Sequence, residues 1–306
     1  MILTAGLSPA WQQILLFDAF TLGEVNRARQ VHWCASGKVL NAARALHHLD
    51  AAVKTLTVLG GATGDAIRRD IAQLGISARW IEAPTPTRIC TTLLDAARRT
   101  ATELVPNAAQ VGGAELEEFR TAYAEEAATA GFVVLIGSLP VGTPAGYYRE
   151  LLALTPGKVI LDARGAELLE ALHARPFLVK PNRSELQQTL GRELTNDAAL
   201  FDGLREINEC GAEWVVVTDG RNPVYARGRD RLYRLRPPTS AVVNPIGCGD
   251  CMAAGIAYGL LQGREPVEAV RYGLATAANK LGQLLPGFVE RDRVEALVQA
   301  VEVTRL

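Results

Sequence analysis

Short β-branched runs alternate with helical stretches along most of this chain, and that alternation restricts the fold more than any other feature. Val53 to Leu59 precedes an amphipathic segment from Asp65 to Leu74. Phe132 to Ile136 leads into the helix-like stretch Thr143 to Leu154, and Lys158 to Leu161 leads into Ala166 to His173. Trp214 to Thr218 follows the helical pattern of Asp197 to Glu209. Repeated strand–helix units of this kind imply an α/β fold, a mostly parallel sheet covered by helices on both faces. With 306 residues, 48% of them hydrophobic, the chain has apolar material for one large core.

Two regions break the rhythm. Ile14 to Phe17, Arg29 to Trp33, Ala78 to Glu82 and Ile89 to Leu94 read as strands with few helices between them. They predict a small extra sheet built from residues 10–34 and 77–106, a lid on the main one. Val224 to Arg227 and Leu232 to Leu235 flank Gly228-Arg229-Asp230 and read as a hairpin. Helical segments follow at Cys251 to Leu261, Pro266 to Leu281 and Arg291 to Val303. Glycine and proline are scattered over the junctions rather than gathered into a linker, so residues 1–306 read as one domain with a lid. No short period suggests a solenoid or propeller.

The formal charge of −1, from 32 basic and 33 acidic residues, gives no reason to expect a nucleic-acid partner. No apolar run reaches membrane-spanning length, and the start Met1-Ile2-Leu3-Thr4-Ala5 lacks the character of a signal peptide. The five cysteines, Cys34, Cys90, Cys210, Cys248 and Cys251, are odd in number and scattered, unlike a secreted disulfide framework. A cytoplasmic location without membrane association is the expectation.

The segment richest in chemistry is Asn244-Pro245-Ile246-Gly247-Cys248-Gly249-Asp250 ahead of an apolar helical run. Gly247 and Gly249 permit a tight turn with no Cβ in the way. A helix starting there points unpaired N–H groups forward, an anion cradle that the helix dipole reinforces. Asp250 at its mouth has two readings, a helix cap or a general base for a hydroxyl whose attack on phosphorus the cradle supports. Neither a G-x-x-x-x-G-K-[ST] loop nor a G-x-G-x-x-G after the first strand is present. Gly60-Gly61-Ala62-Thr63-Gly64-Asp65 follows a strand with other spacing and reads as a strand-to-helix loop near the substrate.

In sequence order, the segments Leu3-Thr4-Ala5-Gly6-Leu7-Ser8-Pro9-Ala10, Gly23-Glu24-Val25-Asn26-Arg27, Ser36-Gly37-Lys38-Val39-Leu40-Asn41, Gly137-Ser138-Leu139-Pro140, Lys180-Pro181-Asn182-Arg183-Ser184-Glu185 and the Asn244 to Asp250 turn span nearly the whole chain. Together they resemble the ribokinase-like, or PfkB, carbohydrate kinase family, nearest to its 1-phosphofructokinase and tagatose-6-phosphate kinase branch. The resemblance implies a ribokinase-like three-layer sandwich with a β-strand lid, and ATP-dependent phosphorylation of a sugar or phosphosugar, a ketohexose phosphate in this branch. It implies Asp250 as catalytic base and Gly247, Cys248 and Gly249 as the anion hole. Asn182 and Glu185 match its Asn-x-x-Glu element, which implies Mg2+ held by Glu185 through water; the residues alone read rather as a helix cap beside a surface glutamate. Thr218, Gly220 and Asn279 match positions around ATP, although Asn279 also suits a packing amide at a helix junction. Lys180 reads as electrostatic support or as the close of a strand.

At the acceptor end the resemblance implies substrate contacts from Gln12, Ser36, Gly37, Lys38, Asn41 and Arg88. A lysine and a forked guanidinium suit a phosphate already on the acceptor, while Arg88 equally allows a pair with Glu82. Two departures fall here. The family's Asn-Pro-Ala-x-Asp is Ser8-Pro9-Ala10-Trp11-Gln12, which puts an amide where a carboxylate would grip sugar hydroxyls. Its Gly-Gly-Lys-Gly is Ser36-Gly37-Lys38-Val39, and Val39 is expected to add bulk beside the substrate. An unphosphorylated sugar or nucleoside kinase, and a non-catalytic sugar or nucleotide sensor, are the alternatives these departures keep open. The resemblance also allows a homodimer through the lid.

Overall fold

The computed structural model describes residues 1–306. The chain opens on β1 (Ile2–Ala5), leaves the core through β2 (Ala10–Phe17) and β3 (Gln30–Ser36), and returns along α1 (Lys38–His48) to β4 (Val53–Leu59). Next come α2 (Gly61–Gln73) and β5 (Ser77–Glu82), then a second excursion through β6 (Ile89–Asp95) and β7 (Thr100–Leu104). Strands and helices then alternate through α3 (Gly113–Ala127), β8 (Phe132–Ile136), α4 (Tyr147–Ala153), β9 (Lys158–Asp162), α5 (Gly165–Leu172) and β10 (Leu178–Val179). After α6 (Arg183–Leu190) and α7 (Asp197–Cys210), β11 (Trp214–Val217) precedes the hairpin β12 (Val224–Arg227) and β13 (Leu232–Arg236). The chain ends with α8 (Cys248–Leu261), α9 (Pro266–Leu281), α10 (Arg291–Val298) and β14 (Glu302–Arg305).

These strands form a ten-stranded sheet, ordered β14-β13-β12-β11-β10-β9-β8-β1-β4-β5, and a four-stranded sheet, ordered β3-β2-β6-β7. Every pairing from β11 across to β5 is parallel, and β12 to β14 add an antiparallel edge. Because successive strand residues face opposite sides, each central strand feeds two cores. Ile2, Val134 and Ile136 join a cluster of 41 buried residues under α1, α8 and α9. Leu3, Ala5, Val133 and Leu135 join one of 34 under α3, α4, α5 and α7. The result is the three-layer α/β sandwich that the strand–helix alternation predicts. No helix is long and apolar enough to cross a membrane.

Several element boundaries differ from the sequence reading. Ser77–Glu82 is not part of the small sheet; β5 pairs in parallel with β4 at the edge of the large one, so the second lid excursion begins at β6. Its fully buried Ile81 sits in the main core, while its other residues are half-buried or exposed, which gives an edge strand the look of a lid strand. The helix expected to run to Val303 stops at Val298, and Glu302–Arg305 instead pairs antiparallel with β13. Strands β1 and β7 were not among the predicted elements.

Candidate active site

Parallel strands of one sheet end together, and the loops beyond their C-terminal ends form a shared crevice. Here Ser8 follows β1, Gly137 and Ser138 follow β8, and Asp162 and Lys180 lie at the ends of β9 and β10. The first turns of α1, α6 and α8 meet the same region, capped by Gly37, Asn182 and Gly247. The lid strands β2, β6 and β7 close it from above. The cleft between them has a volume of about 490 Å³.

Gly247 adopts φ 86, the left-handed conformation that suits glycine, and a Cβ there would lie 3.4 Å from Nδ2 of Asn41. Beyond it the N–H groups of Gly249 and Asp250 meet no acceptor within the chain, whereas that of Cys248 approaches the Pro245 carbonyl at 3.3 Å. The Gly247 N–H likewise meets no acceptor, so Gly247, Gly249 and Asp250 carry the open donors of this cradle. Burial pushes the Cys248 thiol up to about 11, so it carries no charge at neutral pH.

The Asp250 carboxylate accepts a hydrogen bond from Asn41 Nδ2 at 2.8 Å, and the Asn41 amide oxygen accepts one from Ser36 Oγ at 2.9 Å. Ser36 thus orients Asn41, which orients Asp250. Burial raises the Asp250 carboxyl to about 6, aided by the nearby Asp162 charge; Lys38, the Asn41 hydrogen bond and Lys180 pull the other way. A carboxyl titrating near neutrality has the basicity that proton abstraction from a hydroxyl requires.

Asp162, which the sequence reading did not single out, organises the charges around Asp250. Its two oxygens bind Lys38 Nζ and Lys180 Nζ, each at 2.7 Å, and both Asp162 and Lys180 are almost wholly buried. Burial opposes the Asp162 charge, but the two ammonium groups outweigh it and hold the carboxyl at about 2. Lys38 also lies 3.7 Å from Glu185. Burial disfavours its ammonium too, yet the fields of Asp162, Asp250 and Glu185 prevail and raise it above the ordinary lysine range. Lys180 reaches toward the cradle, since a Cβ on Gly249 would lie 3.5 Å from its Nζ. Its signal in the sequence was the strand end itself, where a buried charge needs a partner.

Asn182 and Glu185 form a reciprocal capping box on α6, so both the capping reading and a cavity-facing Glu185 hold at once. No group of three or more His, Cys, Asp or Glu residues stands together as a metal-binding cluster. A magnesium ion here would be carried mainly by phosphates and water, with Glu185, which lines the cavity 3.7 Å from Lys38, as the carboxylate at the head of α6. Thr218, Gly220 and Asn279 do not line this cavity. Thr218 bridges Asn182, and Asn279 Oδ1 accepts from the Glu290 N–H at 2.8 Å, a packing contact at a helix junction.

At the lid end, Gln12, Ser36, Gly37, Lys38, Asn41 and Arg88 line the same cavity. Gln12 donates to Thr92 Oγ1 at 2.9 Å, which leaves its amide oxygen free. Val39 does not crowd the substrate space: it is buried in the core beside Gly6. Arg88 makes no pair with Glu82, which is bound by Arg68. Its guanidinium donates only to the carbonyls of Pro9, Pro106 and Ser8 and meets no carboxylate. Arg164, at the head of α5, likewise lines the cavity without an ion pair or hydrogen bond. The sequence reading also missed Glu103, whose side chain lines the cavity from β7 with no hydrogen-bond or ion-pair partner. Neither residue belongs to a recognisable motif, and only the lid's register brings Glu103, opposite Thr92, to the inner face.

A family model of the pfkB family carbohydrate kinases matches residues 12–288. Among solved structures, phosphofructokinase-2 from Escherichia coli in complex with substrates and products gives a TM-score of 0.90 at 24% identity, covering 97% of this chain and 98% of that one. A protein of Thermotoga maritima described as a possible 1-phosphofructokinase gives 0.92 at 20% identity, covering 100% and 99%. The ribokinase of the same organism gives 0.78 at 20% identity, covering 98% and 99%.

Proposed function

This chain belongs to the pfkB family of carbohydrate kinases, and from that premise we propose that it transfers the γ-phosphoryl group of ATP to a hydroxyl of a phosphosugar, a ketohexose phosphate, with Asp250 as general base. The observation that carries the reading is the pairing of Asp250, raised to about 6 and aimed by Asn41, with the unpaired N–H groups at the head of α8. The acceptor hydroxyl gives its proton to the Asp250 carboxylate as its oxygen bonds to the γ-phosphorus. The bond from that phosphorus to the β–γ bridging oxygen breaks, and ADP leaves with the bond's electron pair. Backbone donors at Gly249 and Asp250, with Lys180 beside them, stabilise the charge on the moving phosphoryl group. Magnesium, when bound, neutralises nucleotide phosphate charge, and Glu185 would hold it through water.

The charge distribution of the acceptor end supports a substrate carrying both an anion and hydroxyls. Arg88 and Arg164 offer guanidinium groups that no carboxylate neutralises. Lys38 is committed to Asp162 and Glu185, so the arginines are better suited to a sugar phosphate. Glu103, on the same inner face of the lid as Gln12, supplies a charged hydrogen-bond acceptor, a replacement for the carboxylate that the Gln12 position lacks. An unphosphorylated acceptor is the second reading, and the engagement of Lys38 is the observation in its favour. A panel of phosphosugars, free sugars and nucleosides, with the phosphorylated product and ADP both measured, separates them. Turnover confined to free sugars would reject the phosphosugar reading, and no product from any acceptor would reject the kinase.

The lid's outer face supports self-association. Trp33, Val31, Ile89 and Leu104 are each at least two-fifths exposed, and the register puts them on one side of the sheet with Trp11 and Leu15. A largely apolar face of this kind, interrupted by the hydrogen-bonded Gln13 and Thr91, is suited to a second copy of the lid.

A further inference from the structure

Lys280 is the one lysine of this chain with no exposed surface, and it has no acidic partner within ion-pair distance. It lies in the last turn of α9, and its Nζ donates to the backbone carbonyls of Asn244 at 2.9 Å and Gln283 at 3.0 Å. Both carbonyls belong to segments that shape the anion cradle. Asn244 stands three residues ahead of Gly247, and a Cβ on Gly247 would lie 3.3 Å from Pro286 and 3.5 Å from the Gly287 nitrogen. The two segments are also tied by Asn244 Nδ2 donating to the Leu284 carbonyl at 2.7 Å. The groups facing the ammonium are the thiols of Cys34, Cys248 and Cys251 and the carboxylate of Asp250. Burial pushes Cys34 and Cys248 up to about 11 and Cys251 well above its ordinary value, so Asp250 is the anion among them.

A buried positive charge without a counterion is expensive, and it persists only where dipoles replace its hydration. Carbonyl oxygens at a helix C-terminus do that, and carbonyl oxygens are also what coordinates a bare alkali cation in a protein. We propose that the Lys280 ammonium acts as a tethered monovalent cation: it locks the Asn244 and Gln283 segments that set Gly247, and so makes phosphoryl transfer independent of dissolved K+ or Na+. Lys280 touches no reacting atom, so its role is that of a positioning residue for the cradle. The kinetic part of this inference rests on the kinase reading above.

The test compares the protein and its Lys280→Met variant in KCl, NaCl and tetramethylammonium chloride at equal ionic strength. The expected result is a kcat of the unaltered protein that does not depend on the cation. Lys280→Met should lose about tenfold or more in kcat, the scale of a disturbed anion hole, with little change in acceptor KM. Part of that loss should return in KCl but not in tetramethylammonium chloride. Thermal unfolding gives a readout without catalysis: K+ should raise the Tm of the variant and leave that of the unaltered protein alone. A K+ requirement in the unaltered protein, or a variant whose kcat and Tm no cation restores, would overturn the proposal. A variant that folds in KCl and not in tetramethylammonium supports it, and one that folds in neither overturns it. If the unaltered protein phosphorylates nothing, the kinase reading fails, and the unfolding comparison still decides what Lys280 does.

Discussion

Asp250 owes its chemistry to its surroundings, and each neighbour acts on it with a known sign. Burial raises its carboxyl to about 6, and the Asn41 hydrogen bond partly opposes that rise. A general base works ionised, so under the proposed role kcat/KM should fall as pH drops through about 6. Removing the Asn41 donor in Asn41→Ala should move that acid limb to higher pH, whereas a limb that stays put would detach it from Asp250. The stability effect has the opposite sense. Because the folded carboxyl is raised above its unfolded value, its contribution is full below the ordinary aspartate range and is lost as pH rises through about 6. Asp162, lowered to about 2 by Lys180 and Lys38 against burial, contributes above the ordinary range and loses that contribution as pH falls toward 2. Glu103 carries a separate prediction: Glu103→Gln should raise the acceptor KM while leaving the KM for ATP and kcat nearly unchanged, as expected for a group that binds hydroxyls. An unchanged acceptor KM would remove Glu103 from the site. Asp250 was legible from its motif because its local turn makes the cradle. Asp162, Glu103 and Arg164 were not, because strand ends and lid register alone bring them together.

At the scale of elements, α8 carries the cradle, and its position depends on close contact with α9. Gly255 packs against Gly273 and Thr276; a Cβ on it would stand 2.8 Å from the Gly273 Cα and 2.4 Å from Thr276 Oγ1. Gly255→Ala must therefore push the helices apart, and the cost should be about 1–3 kcal/mol, the usual range for overpacking. Urea denaturation should show a lower midpoint with an unchanged m-value, and an unshifted midpoint would contradict this packing. The alternation of elements was legible because buried parallel strands are short apolar runs that feed both cores. The assignment failed where that signal weakens. β5 borders only β4 and is mostly half-exposed, so it resembles the lid strands. β7 is almost entirely exposed and β14 has no buried residue, so neither shows the alternation of a half-buried strand. Val301 is buried just past α10 and extended the apparent helical pattern into β14.

For the whole molecule, the lid does two things with its two faces. Its inner face brings Gln12 and Glu103 to the cavity, and its outer face exposes Val31, Trp33, Ile89 and Leu104. Closure over the acceptor would exclude water from the transferring phosphoryl group and limit ATP hydrolysis. If the outer face pairs two lids, sedimentation velocity should find a dimer that Trp33→Glu converts to monomer. A monomer at all concentrations of the unaltered protein would contradict that pairing. Product-resolved turnover with Mg-ATP and ketohexose phosphates, comparing the unaltered protein with Asp250→Asn, decides whether Asp250 drives phosphoryl transfer. Equal amounts of ADP and bisphosphorylated sugar are expected, with a fall of about 10²–10⁴-fold in kcat for the variant and ATP binding retained. Undiminished turnover by Asp250→Asn, or ADP released without phosphorylated sugar, would contradict it.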